Sequence, residues 1–110
     1  MAPQNSFHYE IEKSDDQQGN KVTIIKCHGR LVAENAGEMT QLVKPLIPLG
    51  GRIIVDLGDV SYLDSSGLGA LVGLKVSALS HGLCILEFAN MMPRVLELVR
   101  ITNLKQMFAS

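Results

Sequence analysis

An α/β domain, with a mixed sheet of four to five strands and helices packed mainly on one face, is the fold class this sequence predicts. Three observations predict it. Ile53-Ile54-Val55-Asp56-Leu57 and Leu83-Cys84-Ile85-Leu86 are short, nearly unbroken apolar runs, the pattern of parallel strands covered on both faces. Between them, from Leu68 to about Ser80, apolar residues recur at helical spacing, so a helix joins the two strands as a right-handed crossover. Ahead of both, two β-patterned stretches flank a polar turn and read as a hairpin.

The whole chain, 110 residues long, makes one small domain with no room for a second. Hydrophobic residues are 46% and charged residues 19%, enough apolar material for a single core. With no Trp and few aromatics, that core is aliphatic. The formal net charge is −1 and no basic cluster occurs, which argues against a nucleic-acid partner and against direct membrane contact through a polybasic surface. Residues 1–6, Met1-Ala2-Pro3-Gln4-Asn5-Ser6, lack the charged start and apolar run of a signal peptide and are expected to form a flexible lead. No apolar run approaches the ~18 residues of a membrane span. A cytoplasmic protein is the expectation. Cys27 and Cys84 fall in predicted buried strands and read as small hydrophobes in a reducing compartment. Without matching His spacing they make no zinc site.

Phe7-His8-Tyr9-Glu10-Ile11-Glu12 alternates apolar and polar residues, the period of a half-exposed edge strand. Ser14 to Asn20 is a polar turn, and Val22 to Cys27, rich in β-branched residues, is the second strand. His28-Gly29-Arg30-Leu31 leads into a helix, where Asn35 and Glu38 have capping-box spacing. Ala36, Met39, Val43 and Leu46 share one face of it. Pro45 lacks an amide proton and crowds the preceding turn, so the helix kinks or ends close to Lys44. His81-Gly82 closes the central helix, with Gly82 available for a left-handed cap. Pro93 suits a first helical turn, and Val95, Leu96 and Val99 supply the apolar face of a last helix. Thr102-Asn103-Leu104 ends it, and Leu104 to Phe108 form a short final element.

Val60-Ser61-Tyr62-Leu63-Asp64-Ser65-Ser66-Gly67-Leu68-Gly69 reads as the turn between the buried strand at Ile53 and the central helix. In open α/β sheets ligands and partners meet the protein at the C-terminal ends of strands. Asp64, Ser65 and Ser66 therefore sit at or just before the first helical turn, where Asp and Ser oxygens accept unpaired amide protons. Farther along, Leu68, Leu71, Val72, Lys75, Val76 and Leu79 share one broad arc of the helix. Gly69, Gly73 and Ser77 lie four apart on another. Interior Gly costs about 1 kcal/mol against Ala, so this strip implies close approach, either by a helix of the same domain or by a docked partner.

Three enzyme or ligand chemistries fail on context. Leu63-Asp64-Ser65-Ser66-Gly67 is not the G-x-S-x-G elbow of a serine hydrolase, and a nucleophilic Ser needs a base beside it. His8 is on the edge strand and His81 at the far end of the helix. That leaves His28, which ends a strand. A phospho-Asp receiver needs an acidic pair, a separate acceptor Asp and a distant Lys, whereas Asp56, Asp59 and Asp64 cluster around one strand and its loop. Gly67 and Gly69 lack the G-x-x-x-x-G-K-[ST] of a phosphate-binding loop. No catalytic residue, metal or cofactor is expected, and what remains is a binding module.

The stretch D-S-S-G-L-G at Asp64 to Gly69, preceded by V-D-L-G-D-V-S-Y-L and followed by A-L-V-G-L, resembles the signature of the STAS domain family, and within it the bacterial anti-sigma factor antagonists. The likeness is strong from about Arg52 to Leu86 and continues from about Thr23 to Phe108. It implies a STAS-like sheet and a protein that binds an anti-sigma factor with serine kinase activity, freeing a sigma factor for transcription. It implies phosphorylation at Ser65 by that kinase, contacts to the partner from Asp64, Ser66, Gly67 and Leu68, and reversal by a phosphoserine phosphatase. The alternative within the family is an unphosphorylated scaffold subunit of a membrane transporter or sensory complex. Two departures stand out. The antagonists usually carry Asp where Val32 follows Gly29-Arg30-Leu31, and S/T-G-L where this chain has Thr102-Asn103-Leu104.

Overall fold

A computed structural model describes residues 7–102. In chain order these form β1 (His8–Asp15), β2 (Lys21–Leu31), α1 (Ala33–Val43), a 3₁₀ segment (Lys44–Leu49), β3 (Gly51–Leu63), α2 (Ser65–His81), β4 (Cys84–Ala89) and α3 (Pro93–Ile101). The sheet runs β1-β2-β3-β4, with β1 antiparallel to β2 and the other two pairs parallel. Parallel neighbours need a crossover. Accordingly α1 carries the chain from β2 to β3, and α2 carries it from β3 to β4. The polar turn is shorter than expected, because Ser14 and Asp15 still pair with β2. The Asp16 carboxylate closes it by accepting from the amides of Gln18 and Asn20 at 2.8 and 2.9 Å.

The core is aliphatic, as the composition predicts. Ile25, Cys27 and Leu31 of β2, Ile53, Val55 and Leu57 of β3 and Leu86 of β4 bury one face of the sheet. Met39 and Val43 of α1 and Leu71, Leu74 and Ala78 of α2 are buried with them. The expectation that the run Leu83 to Leu86 is covered on both faces does not hold. Leu83 precedes the strand at 75% exposure and Ile85 is 60% exposed, since β4 is the outer strand of the sheet and presents one side of its pleat outward.

β3 is the longest strand and runs six residues beyond the apolar run that announces it. Val60 to Leu63, expected as a turn, still pair with β2. The reason is a pair of irregularities. Lys26 lies opposite Asp56 but His28 lies opposite Asp59, and Gly29 lies opposite Val60 but Arg30 lies opposite Tyr62. Each time β3 holds one residue more than β2, which bends the strand and re-aims its side chains. The buried positions therefore step from Leu57 to Val60 to Leu63, a spacing of three in place of two. His28 to Leu31 likewise remain in β2.

Asn35 does not open α1. The helix begins at Ala33, and Asn35 is its third residue, reaching back to accept the Val32 amide at 2.9 Å. The helix stops at Val43, and the chain continues through Pro45 as the 3₁₀ turn, as the proline predicts. α2 ends on Gly82 at φ 74°, the left-handed cap that glycine adopts without strain. Its inward face is Leu68, Leu71, Leu74, Lys75 and Ala78, while Val76 and Leu79 are exposed. Lys75 is buried with its Nζ donating to the Leu86 carbonyl. α3 starts at Pro93 and buries Val95 and Val99, with Leu96 turned outward at 41% exposure. Thr102 stops it, its hydroxyl donating to the carbonyls of Leu98 and Val99. The expected flexible lead at residues 1–6, the Asn103-Leu104 part of the stop and the element at 104–108 lie outside the described residues. Among the described residues no helix is long and apolar enough to cross a membrane.

Candidate functional site

Asp64 follows the last residue of β3 and is the N-cap of α2. Its backbone is extended, and its Oδ1 accepts from the Gly67 amide at 2.9 Å, which satisfies one of the unpaired donors of the first turn. Its Oδ2 accepts from the Ala33 amide at 3.0 Å, at the start of α1. One carboxylate thus serves the first turns of two helices. The bonds from Gly67, then Ala33, hold its pKa below the ordinary 3.8, so Asp64 is an anion near neutrality. Of the three residues expected at the helix start, Asp64 is the one that caps it.

Ser65 and Ser66 are the first two residues of α2 and both are exposed. Gly67 and Leu68, expected to contact a partner, are buried. At Gly67 the chain passes close against the end of β2. A Cβ placed there would stand 2.1 Å from the Leu31 carbonyl oxygen, so only glycine lets α2 start against the end of β2. Leu68 packs in the core at 7% exposure. Both residues therefore set the position of Ser65 from below and present little surface. The departure at Val32 has a structural counterpart. Val32 is the N-cap of α1 with no side-chain oxygen to offer; its own amide donates to Asn35 and the next one, of Ala33, to Asp64.

The Gly69 and Gly73 strip meets no neighbour. A Cβ at either would find nothing within 4 Å, so no helix among the described residues packs against these two glycines, while Ser77, the third residue of the strip, is half-buried. The two glycines belong to an outer face of α2 comprising Ser66, Gly69, Gly73, Val76 and Ser80, all exposed and none charged. A groove of about 370 Å³ beside Ile47, Pro48, Val76 and Ser77 lies at the opposite end of α2 from Ser65.

His28 lies opposite Asp59, six residues before Ser65 in the chain. Its two ring nitrogens face Asp59 and Glu10, an arrangement no sequence spacing could announce, because the three residues come from three strands. Arg30 and Tyr62, also missed, form a cation–π pair at 4.7 Å across the ends of β2 and β3. Their adjacency depends on the second irregularity of β3. Cys27 and Cys84 are free and buried, and burial pushes the Cys27 thiol up to about 12, which removes it as a nucleophile. No cluster of His, Cys, Asp and Glu among the described residues gathers to hold a metal.

The described residues form a four-stranded α/β domain that offers an exposed serine beside a pinned carboxylate at the start of its central helix. More narrowly, the chain belongs to the STAS domain family, which matches it over residues 13–110. It is similar to the anti-sigma-B factor antagonist of Bacillus subtilis, with 31% identity over 91 residues, covering 83% of each chain. Among solved structures it resembles an anti-sigma factor antagonist from Mycobacterium paratuberculosis, with a TM-score of 0.73 at 18% identity, over 98% of this chain and 87% of that one. It also resembles the Bacillus cell fate determinant SpoIIAA in its phosphorylated form, with a TM-score of 0.66 at 18% identity, over 91% and 87% of the two chains. At those identities the structural likeness speaks for the fold.

Proposed function

We propose that this chain is an anti-sigma factor antagonist, a binding protein that sequesters an anti-sigma factor with serine kinase activity and is switched off when that partner phosphorylates Ser65. The observation that carries this reading is the exposed Ser65 hydroxyl at the first position of α2, next to the anionic Asp64. Its membership of the STAS family and its likeness to a curated antagonist support the choice of partner. The partner's surface would meet Asp64, Ser65, Ser66 and the uncharged outer face of α2. A phosphatase would reset the switch in the cytoplasm.

The electrostatics favour a switch in binding over a switch in shape. Phosphoserine adds about −1.5 to −2 charges at pH 7. At a helix start that charge gains roughly 0.3–1 kcal/mol from the dipole. The Gly67 amide is already committed to Asp64, and Asp64 itself repels the newcomer. These terms oppose one another on an exposed surface, so the fold stays as it is and the phosphate stands outward. In a complex the same charge must be desolvated against the partner. An unpaired buried charge costs about 3–5 kcal/mol, and each 1.4 kcal/mol is roughly a tenfold loss of affinity.

The test is a titration of the anti-sigma factor with unmodified protein, Ser65-phosphorylated protein and Ser65→Ala. Affinity is expected to fall by about two orders of magnitude or more on phosphorylation and to persist in Ser65→Ala, with NMR shift changes confined to residues 64–69. Phosphate mapping to Ser66, or shift changes spread to Ile24 and Ile85, would overturn the proposal.

A further inference from the structure

We propose that His28 is a proton-operated latch that ties the edge strand β1 to the first irregularity of β3, on the strand that leads to Ser65. Its Nδ1 lies 2.6 Å from Asp59 Oδ2 and its Nε2 lies 2.9 Å from Glu10 Oε2. An ionised carboxylate only accepts hydrogen bonds, and a neutral imidazole carries one N–H. Both contacts are hydrogen bonds only when the ring carries two protons. Losing one places a nitrogen lone pair against a carboxylate oxygen, and one arm of the latch must open.

The surroundings favour the closed, charged form. On β1 the ring faces Glu10 and stacks on His8, with centroids 4.6 Å apart and planes 15° from parallel. On β3 it faces Asp59, with Asp56 one step back opposite Lys26. Lys26, two residues earlier on β2, is engaged with Glu12 at 3.0 Å. Asp59 first and Glu10 second hold the imidazole pKa above its ordinary 6.5. The latch is therefore fully effective below that ordinary value and is lost as pH rises through the raised one. An open cavity of about 320 Å³, lined also by Lys26, Asp56, Gly58 and Asn90, gives water access to the ring.

Position gives the latch its effect. β1 is exposed at nearly every residue, so it has few apolar anchors besides its ladder to β2. Asp59 comes directly after the extra residue that first shifts β3 against β2. Opening the latch loosens the start of β1 and the Gly58–Asp59 step together.

The experiment follows the imidazole of His28 by NMR from pH 5 to 9 in the whole chain, in the wild type, Glu10→Gln and Asp59→Asn. Amide hydrogen exchange at Tyr9, Glu10 and Asp59, corrected for intrinsic rates, is compared at pH 6 and pH 9. His28 is expected to titrate above the ordinary histidine range, and each variant to bring it down. Protection at those amides should fall by about two- to fivefold at the higher pH, the share of an exposed charge pair, and should lose that pH dependence in His28→Gln. Titration at or below the ordinary value, or no response to either carboxylate variant, would overturn the latch. The two carboxylate variants keep the outcome decisive if His28→Gln does not fold.

Discussion

Residues 51–57 and 58–63 are two halves of one strand, and they place their side chains by different rules. The first half alternates strictly, with Ile53, Val55 and Leu57 inward and Arg52, Ile54 and Asp56 outward. It lies between β2 and β4 and is paired on both sides. The second half takes two extra residues relative to β2, buries only Val60 and Leu63, and has no partner in β4. Framework and aim are thus divided along a single strand. The regular half fixes the sheet, and the irregular half turns the chain so that Asp64 reaches the first turns of both α1 and α2.

Substitutions can break this comparison at either end. The largest effect is expected at Gly67, where the irregular half delivers α2 against Leu31. Gly67→Ala should destabilise the domain by about 3 kcal/mol or more, because its Cβ would meet a backbone carbonyl at 2.1 Å. A denaturation midpoint close to the wild type would show that the α2 start can slide. Next comes the regular half. Ile53→Ala should cost about 2–5 kcal/mol through the cavity it leaves, with partner affinity of the remaining folded protein unchanged. An affinity loss there would mean that the two halves are not separate in role. Asp64→Asn sharpens the comparison through pH. The carboxylate's contribution is present above its ordinary 3.8 and is lost as pH falls through its lowered folded value. The stability gap between wild type and variant, read from urea midpoints at pH 7 and pH 3, should therefore narrow in acid. A constant gap would show that charge plays no part. The smallest effect is expected at Gly73→Ala, six residues beyond Gly67 on the same helix. With open space around it, the change should stabilise by about 0.8–1 kcal/mol, and a loss of stability would reveal a neighbour at that face.

The regular half of β3 was legible in the sequence and the irregular half was not, for one physical reason. Alternation announces a strand only while the register holds. Once a residue is inserted, apolar positions fall three apart, as at Leu57, Val60 and Leu63, and the pattern resembles a turn. The same limit explains Gly67 and Gly73. Sequence weighs both as interior glycines, yet one touches backbone and the other touches nothing, and that depends on the end of β2. Pro45, Gly82 and Pro93 were legible because their constraints are local. Asp64, Ser65 and Ser66 were legible as a group from motif and position, but not the second bond of the capping carboxylate, to Ala33, thirty-one residues away in the chain. Reading Asn35 as the cap sets the start of α1 three residues too late, because Val32, whose side chain offers no cap, is the true boundary.

The shared carboxylate of Asp64 also has a mechanical meaning. With one oxygen on Gly67 and the other on Ala33, it acts as a rivet through two levers. A force applied to the first turn of α1 is carried to the first turn of α2 without passing through the sheet. Lifting either helix start alone costs the carboxylate one of its two bonds, so a grip on Ser65 also bears on α1.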